Sequence, residues 1–143
     1  EGEQVRTRLL TLVDADAEAF EPLSRAYSIP KDDPSRETVL EQAAQRACAA
    51  PVEMLEQCAR AVELLEQMLE KGSVMLASDV GCGAVCCRAA MECAAMNVYV
   101  NTRTLKNRVV AEALERKADG LLKEYGARAE AVAGQVTAQL RGR

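Results

Sequence analysis

Between Asp79 and Arg103 the chain carries only two charges, Arg88 and Glu92, four residues apart, and nearly everything else there is small or apolar. A helix that is apolar nearly all round is stable only when neighbours pack it on several sides, so this stretch predicts a central helix. Ser78 is a favourable N-cap for it, and Asp79 suits its first turn. Small residues such as Gly81, Gly83, Ala89, Ala90 and Ala94 either let partner helices come close or leave room for a ligand. One stripe, Asp79, Gly83, Cys86, Ala90, Ala94, Asn97 and Asn101, is low in side-chain volume and polar at both ends. The wall of a cleft would look like this. Close helix packing, with Asp79 as a cap, accounts for it equally well.

The rest of the chain keeps a helical step. Leu9, Val13, Phe20, Leu23 and Tyr27 share one face of a first helix over residues 1–29, in which Pro22 predicts a kink or a break. Pro30 to Pro34 reads as a loop, and Ser35 as the cap of a helix over 36–49. Pro51 opens a third helix over 52–70. Thr102 to Thr104 supply caps for a last helix over 105–140, about 50 Å long at 1.5 Å per residue. No strand-period segment and no repeat appears. The expectation is one all-α domain over 1–143, an up-and-down bundle of about five helices with a central buried helix and a long C-terminal one.

Composition removes several chemistries. Histidine is absent, which excludes a Ser-His or Cys-His pair and any imidazole acid–base or ligand. The six cysteines do not form paired C-x-x-C spacings, and four lie on one helix that cannot wrap a tetrahedral ion, so no metal site is expected. They read as free thiols used as small buried apolar groups. The net charge of −4, without a basic run, argues against nucleic acid and anionic membranes. No apolar run approaching the roughly 20 residues of a bilayer span is read, and no leader, so a cytoplasmic protein is expected.

Asp16 falls on the apolar stripe of the first helix, between Val13 and Phe20, whereas Asp14 points elsewhere. A carboxylate there is costly unless it is paired, hydrogen-bonded or facing a wet pocket. It therefore either reaches solvent at the stripe edge or lines a cavity. Two functions fit: a bundle whose task is association, or a histidine-free enzyme using a cleft carboxylate.

Leu12-Val-Asp-Ala-Asp-Ala-Glu-Ala-Phe20, then Ile29-Pro30-Lys31, Arg36, Ala50-Pro51-Val52, Gly72, Ser78-Asp79-Val80 and Asn97-Val-Tyr-Val-Asn101 stand in one order. That series closely resembles the cyclodeaminase/cyclohydrolase family of folate enzymes. The resemblance implies an all-helical bundle that self-associates as a homodimer. It implies a tetrahydrofolate derivative as substrate, with no further cofactor and no metal. The reaction would be closure of 5-formiminotetrahydrofolate to 5,10-methenyltetrahydrofolate with loss of ammonia, or hydrolysis of the methenyl form. By the same resemblance Asp16 is the proton acceptor. Asp79, Asn97 and Asn101 would bind the pterin or reacting centre, and Lys31, Arg36 and Arg103 the glutamate tail. The family's Gly-rich segment and small-residue helix, which precede this region, are not within residues 1–143. Either a longer protein or a degenerate member is then implied, and a non-catalytic association module stays the alternative.

Overall fold

The computed structural model describes residues 1–142 and is all-helical over them. Its helices are α1 (Gly2–Tyr27), α2 (Arg36–Ala47), α3 (Ala49–Lys71), α4 (Ala77–Thr102) and α5 (Arg108–Leu140), with a 3-10 turn at Val74–Leu76. α2 and α3 are separated only by Cys48, whose dihedral angles are helical. The two therefore make one interrupted rod, and the bundle has four rods where about five were expected.

Cross-helix contacts fix the directions. Arg60 pairs with Glu1 and Arg8 with Glu53, so α1 runs antiparallel to α3. α4 returns against α3, with Gly83 against Leu65 near one end and Asn101 bonded to Ala47 at the other. Lys117 meets Glu56 and Arg128 meets Glu66, so α5 descends beside α3. This is an up-and-down bundle in which α3 touches α1, α4 and α5.

The core forms three clusters along the bundle. Leu55, Met91, Val98 and Ala118 centre the middle one. Val62, Val80, Ala84, Ala129 and Val132 fill one end. Leu23, Ala26, Ala43, Ala44, Leu105 and Ala111 fill the other. Close approach relies on glycine at two points of α4. A Cβ on Gly81 would lie 2.7 Å from Val136, and one on Gly83 would lie 3.1 Å from Leu65.

Several expectations need correction. The inward stripe of α1 is Val5, Leu9, Leu12, Asp16, Ala19, Leu23 and Ala26, while Val13, Phe20 and Tyr27 are exposed. Steps of three and four cover neighbouring lines on a helix, and the larger side chains drew the predicted line to the wrong edge. α1 also runs unbroken through Pro22. Position 22 faces outward, where the orphaned Glu18 carbonyl can meet water. Ser35 makes no cap bond to α2; its own N–H and hydroxyl donate to Asp33 instead. Asn107, not a threonine, caps α5 by accepting from Val110 N–H.

α4 is central but not wholly buried. Val85, Met96 and Val100 are each more than half exposed. Cys82, Cys86 and Cys93 share that outer side, so only Cys48 and Cys58 are fully buried thiols and Cys87 is half-buried. By length and composition Val74–Thr102 is also apolar enough to cross a bilayer, contrary to the expectation that no run approaches that length. Its inner stripe is occupied by α3 and α5.

Candidate functional site

Asp16 stands on the inward stripe of α1 and is half-buried between Leu12, which is buried, and Ala19. Leu9, two turns before it, packs against the cluster that holds Ala94, Ala95 and Val98. Leu23, two turns after it, packs with Leu105. Asp16 thus lies between these two clusters along α1, a helix that packs on α2 and α3. Other inward acids are matched by cations: Glu53 by Arg8, Glu63 by Arg60 and Glu66 by Arg128. Among the described residues no cation stands within ion-pair distance of Asp16.

Asn101 is half-buried, and its side-chain amide donates to the Ala47 carbonyl at 3.0 Å. That carbonyl is buried and stands four residues before Pro51, which has no N–H to give it, so the bond satisfies an acceptor the rod leaves open. Asn97, one turn earlier, is exposed and donates to the Cys93 carbonyl of its own helix. Arg103 is exposed at the end of α4. Arg36 is half-buried and donates from Nε to the Ile29 carbonyl at 2.8 Å, which ties the Pro30–Pro34 loop to α2. Lys31 projects from that loop into solvent. These residues share one end of the bundle. Asp79 does not join them: it is exposed in the first turn of α4, 22 residues before Asn101, or about 33 Å along the axis.

The same end holds polar groups that sequence reasoning missed. Thr102, wholly buried, donates to Glu115 at 2.7 Å, and Arg108 donates to the Thr102 carbonyl. Tyr99 donates to Asp119 at 2.5 Å. That bond, with burial added, pushes the phenol up to about 12, so Tyr99 stays a donor at neutral pH. Beneath them burial, then the Glu115 charge, pushes the Cys48 thiol up to about 11, which keeps it neutral. Glu41 of α2 accepts from the backbone N–H groups of Lys106 and Asn107 at 2.7 and 3.2 Å. Those partners lie 65 and 66 residues apart in sequence, so no local pattern could have paired them. A tyrosine and a threonine at helical spacing inside the apolar run were the only available signal.

Chemically, the candidate set offers a half-buried carboxylate, an amide and peripheral cations. Such a set suits proton acceptance beside a polar heterocycle carrying an anionic tail, and it supplies no nucleophile–base pair. An apolar groove lies elsewhere, between α4 and the end of α5, and none of the candidate residues lines it.

The family described as formiminotransferase-cyclodeaminase matches residues 1–120. The methenyltetrahydrofolate cyclohydrolase of Methylorubrum extorquens is 31% identical over 88% of this chain. The formimidoyltransferase-cyclodeaminase of Rattus norvegicus is 27% identical over 92%. The chain spans 62% of the length of the first of these relatives and 25% of the second. In structure it is similar to the formiminotetrahydrofolate cyclodeaminase of Thermotoga maritima, with a TM-score of 0.78 and 26% identity. That likeness covers 98% of this chain and 66% of the other. With a family match over residues 1–120 and a shared fold, the chain belongs to the formiminotransferase-cyclodeaminase family.

Proposed function

We propose that this chain acts on the one-carbon unit of a reduced folate, with Asp16 as the proton acceptor. In the cyclodeaminase direction, N10 of 5-formiminotetrahydrofolate attacks the formimino carbon and loses its proton to Asp16. The former imine nitrogen, once protonated, leaves as ammonia, and the product is the 5,10-methenyl cation. In the hydrolytic direction Asp16 takes a proton from water as the water adds to that cationic carbon; the bond to N5 then breaks. A carboxylate serves both directions because it accepts the proton and faces a positive charge at the reacting carbon. Asn101 and Asn97 are assigned to the pterin side, with Asp79 joining only if the ligand or a second copy reaches that far. Lys31, Arg36 and Arg103 are assigned to the glutamate tail. The reading includes self-association as a homodimer.

The observation that carries it is the half-buried Asp16 on the inward stripe of α1, with no ion-pair partner among the described residues. The test is an absorbance assay of methenyltetrahydrofolate run from both sides, starting from 5-formiminotetrahydrofolate and from the methenyl compound. Formation from the first identifies a cyclodeaminase, and catalysed loss of the second alone a cyclohydrolase. Asp16→Asn should remove at least about 99% of the rate, on the scale of losing a general base, with unchanged or higher thermal stability. Turnover retained by that variant would sink the assignment of Asp16. No rate in either direction, with folate unbound, would leave an association module.

A further inference from the structure

We infer that Pro51 is a positioning residue for Asn101: by withholding an N–H from the Ala47 carbonyl, it fixes which end of the Asn101 amide meets the ligand. In a regular helix that carbonyl would accept from the N–H of residue 51, four positions on. Cys48, which alone separates α2 from α3, has helical dihedral angles, and the Val52 N–H reaches the Cys48 carbonyl at 3.2 Å. The rod therefore keeps its register across the junction. Residue 51, however, is proline and has no hydrogen to give. Ala47 and Pro51 are both buried, and the Asn101 side chain comes across from α4 to donate at 3.0 Å. A carbonyl can only accept, so the amide must turn its NH2 group inward.

That leaves Oδ1. The main-chain carbonyl of Asn101 already accepts from the Thr104 N–H and hydroxyl, at 3.2 and 2.8 Å. Oδ1 has no partner among the described residues, and none of their buried side-chain N or O atoms is left unpaired, so this oxygen is not sealed inside the bundle. Position 101 thus presents an acceptor whose donor is already spent. On the folate reading above, on which this inference rests, Oδ1 takes an N–H of the pterin ring and rejects its 4-oxo edge, because two carbonyl oxygens repel. Asn97 supplies the contrast. It also gives its NH2 group to a carbonyl, that of Cys93, but this lies within an unbroken helix where the main chain satisfies Cys93 in any case. Nothing prevents the exposed Asn97 amide from turning over. Of the two asparagines, only Asn101 has a fixed polarity.

The test is a mutant cycle read by binding of 5-formyltetrahydrofolate, a stable reduced folate, with circular dichroism to establish that each variant is folded. With Pro51 in place, Asn101→Asp sets an oxygen against the Ala47 carbonyl and should weaken binding at least about fivefold, the worth of one hydrogen bond. Pro51→Ala gives that carbonyl a main-chain donor and releases position 101. In this background Asn101→Asp still offers an acceptor, and it should bind within about twofold of Pro51→Ala alone. Asn101→Leu in the same background offers none and should bind at least about fivefold more weakly, although its Ala47 carbonyl is equally satisfied. A purely structural role for Asn101 would make Asp and Leu equivalent there, and that result overturns the inference. An Asn101→Asp loss of equal size in both backgrounds overturns it as well. Hydrogen exchange of the side-chain amides needs neither ligand nor variant. Asn101 should exchange about tenfold or more slowly than Asn97, and equal rates overturn the inference. No folate bound by the wild-type protein, with Asn101 still protected, sinks the folate reading while upholding the fixed polarity of the amide.

Discussion

The side-chain amide of Asn101 donates to the main-chain carbonyl of Ala47 across 3.0 Å, joining the end of α4 to the end of α2. One bond thereby holds a candidate ligand-binding residue and satisfies a carbonyl that its own helix leaves open.

Asn101→Asp keeps the shape and places a carboxylate oxygen against that carbonyl. The buried Ala47 acceptor loses its donor, at a cost of about 1–3 kcal/mol. Urea unfolding should show the midpoint lowered with the slope unchanged. An unaltered midpoint would mean that water replaces the bond without penalty.

Two glycines should respond in opposite directions to the same substitution. A Cβ at Gly81 would sit 2.7 Å from Val136, whereas nothing lies within 4 Å of one at Gly120. Gly81→Ala should destabilise by about 1–3 kcal/mol through overpacking, despite alanine's better helix propensity. Gly120→Ala, in the middle of α5, should stabilise by up to about 1 kcal/mol. Thermal melts of the two variants test the pair, and equal shifts would refute the close α4–α5 contact.

Acid should weaken the α3–α5 seam. Arg128 grips Glu66 with two bonds, at 2.8 and 2.5 Å, and this holds the Glu66 carboxyl below its usual range. Glu63 is likewise lowered, by Arg60 first and then by Tyr125. A carboxyl whose pKa is lower folded than unfolded contributes stability above its unfolded value, and that contribution is lost as pH falls through the folded value. Stability should therefore decline from about pH 5 downward. Because Glu66 and Arg128 are each about one-third exposed, Glu66→Gln should cost no more than about 1 kcal/mol at pH 7 and flatten the acid decline. Denaturation midpoints at several pH values check both.

The sequence carried the helices themselves, since every helix repeats its apolar residues at steps of three and four. It also placed Asp16 on an inward stripe, although for that stripe it named Val13, Phe20 and Tyr27, which are exposed. The line was drawn by hydrophobic size, while the packed line uses Ala19 and Ala26, small residues that weigh little in such a pattern. A similar blindness affected α4. Apolarity all round predicts burial all round, but it cannot distinguish a face covered by the same chain from one left for something else. The polar end of the bundle was hardest to read. Thr102 with Glu115, Tyr99 with Asp119 and Glu41 with the start of α5 become neighbours only through the fold.

The Glu41 carboxylate has a consequence for the order of assembly. α4 and α5 follow one another in sequence and pack along their length, so as a hairpin they could form early from local contacts. Yet the turn between them delivers two N–H groups to a side chain on α2, 65 residues upstream. The hairpin can zip, but its corner sets only when α2 has docked. Closure of that long loop thus couples the last-made helices to the second one, and the bundle completes itself as a unit rather than as a pair of independent halves.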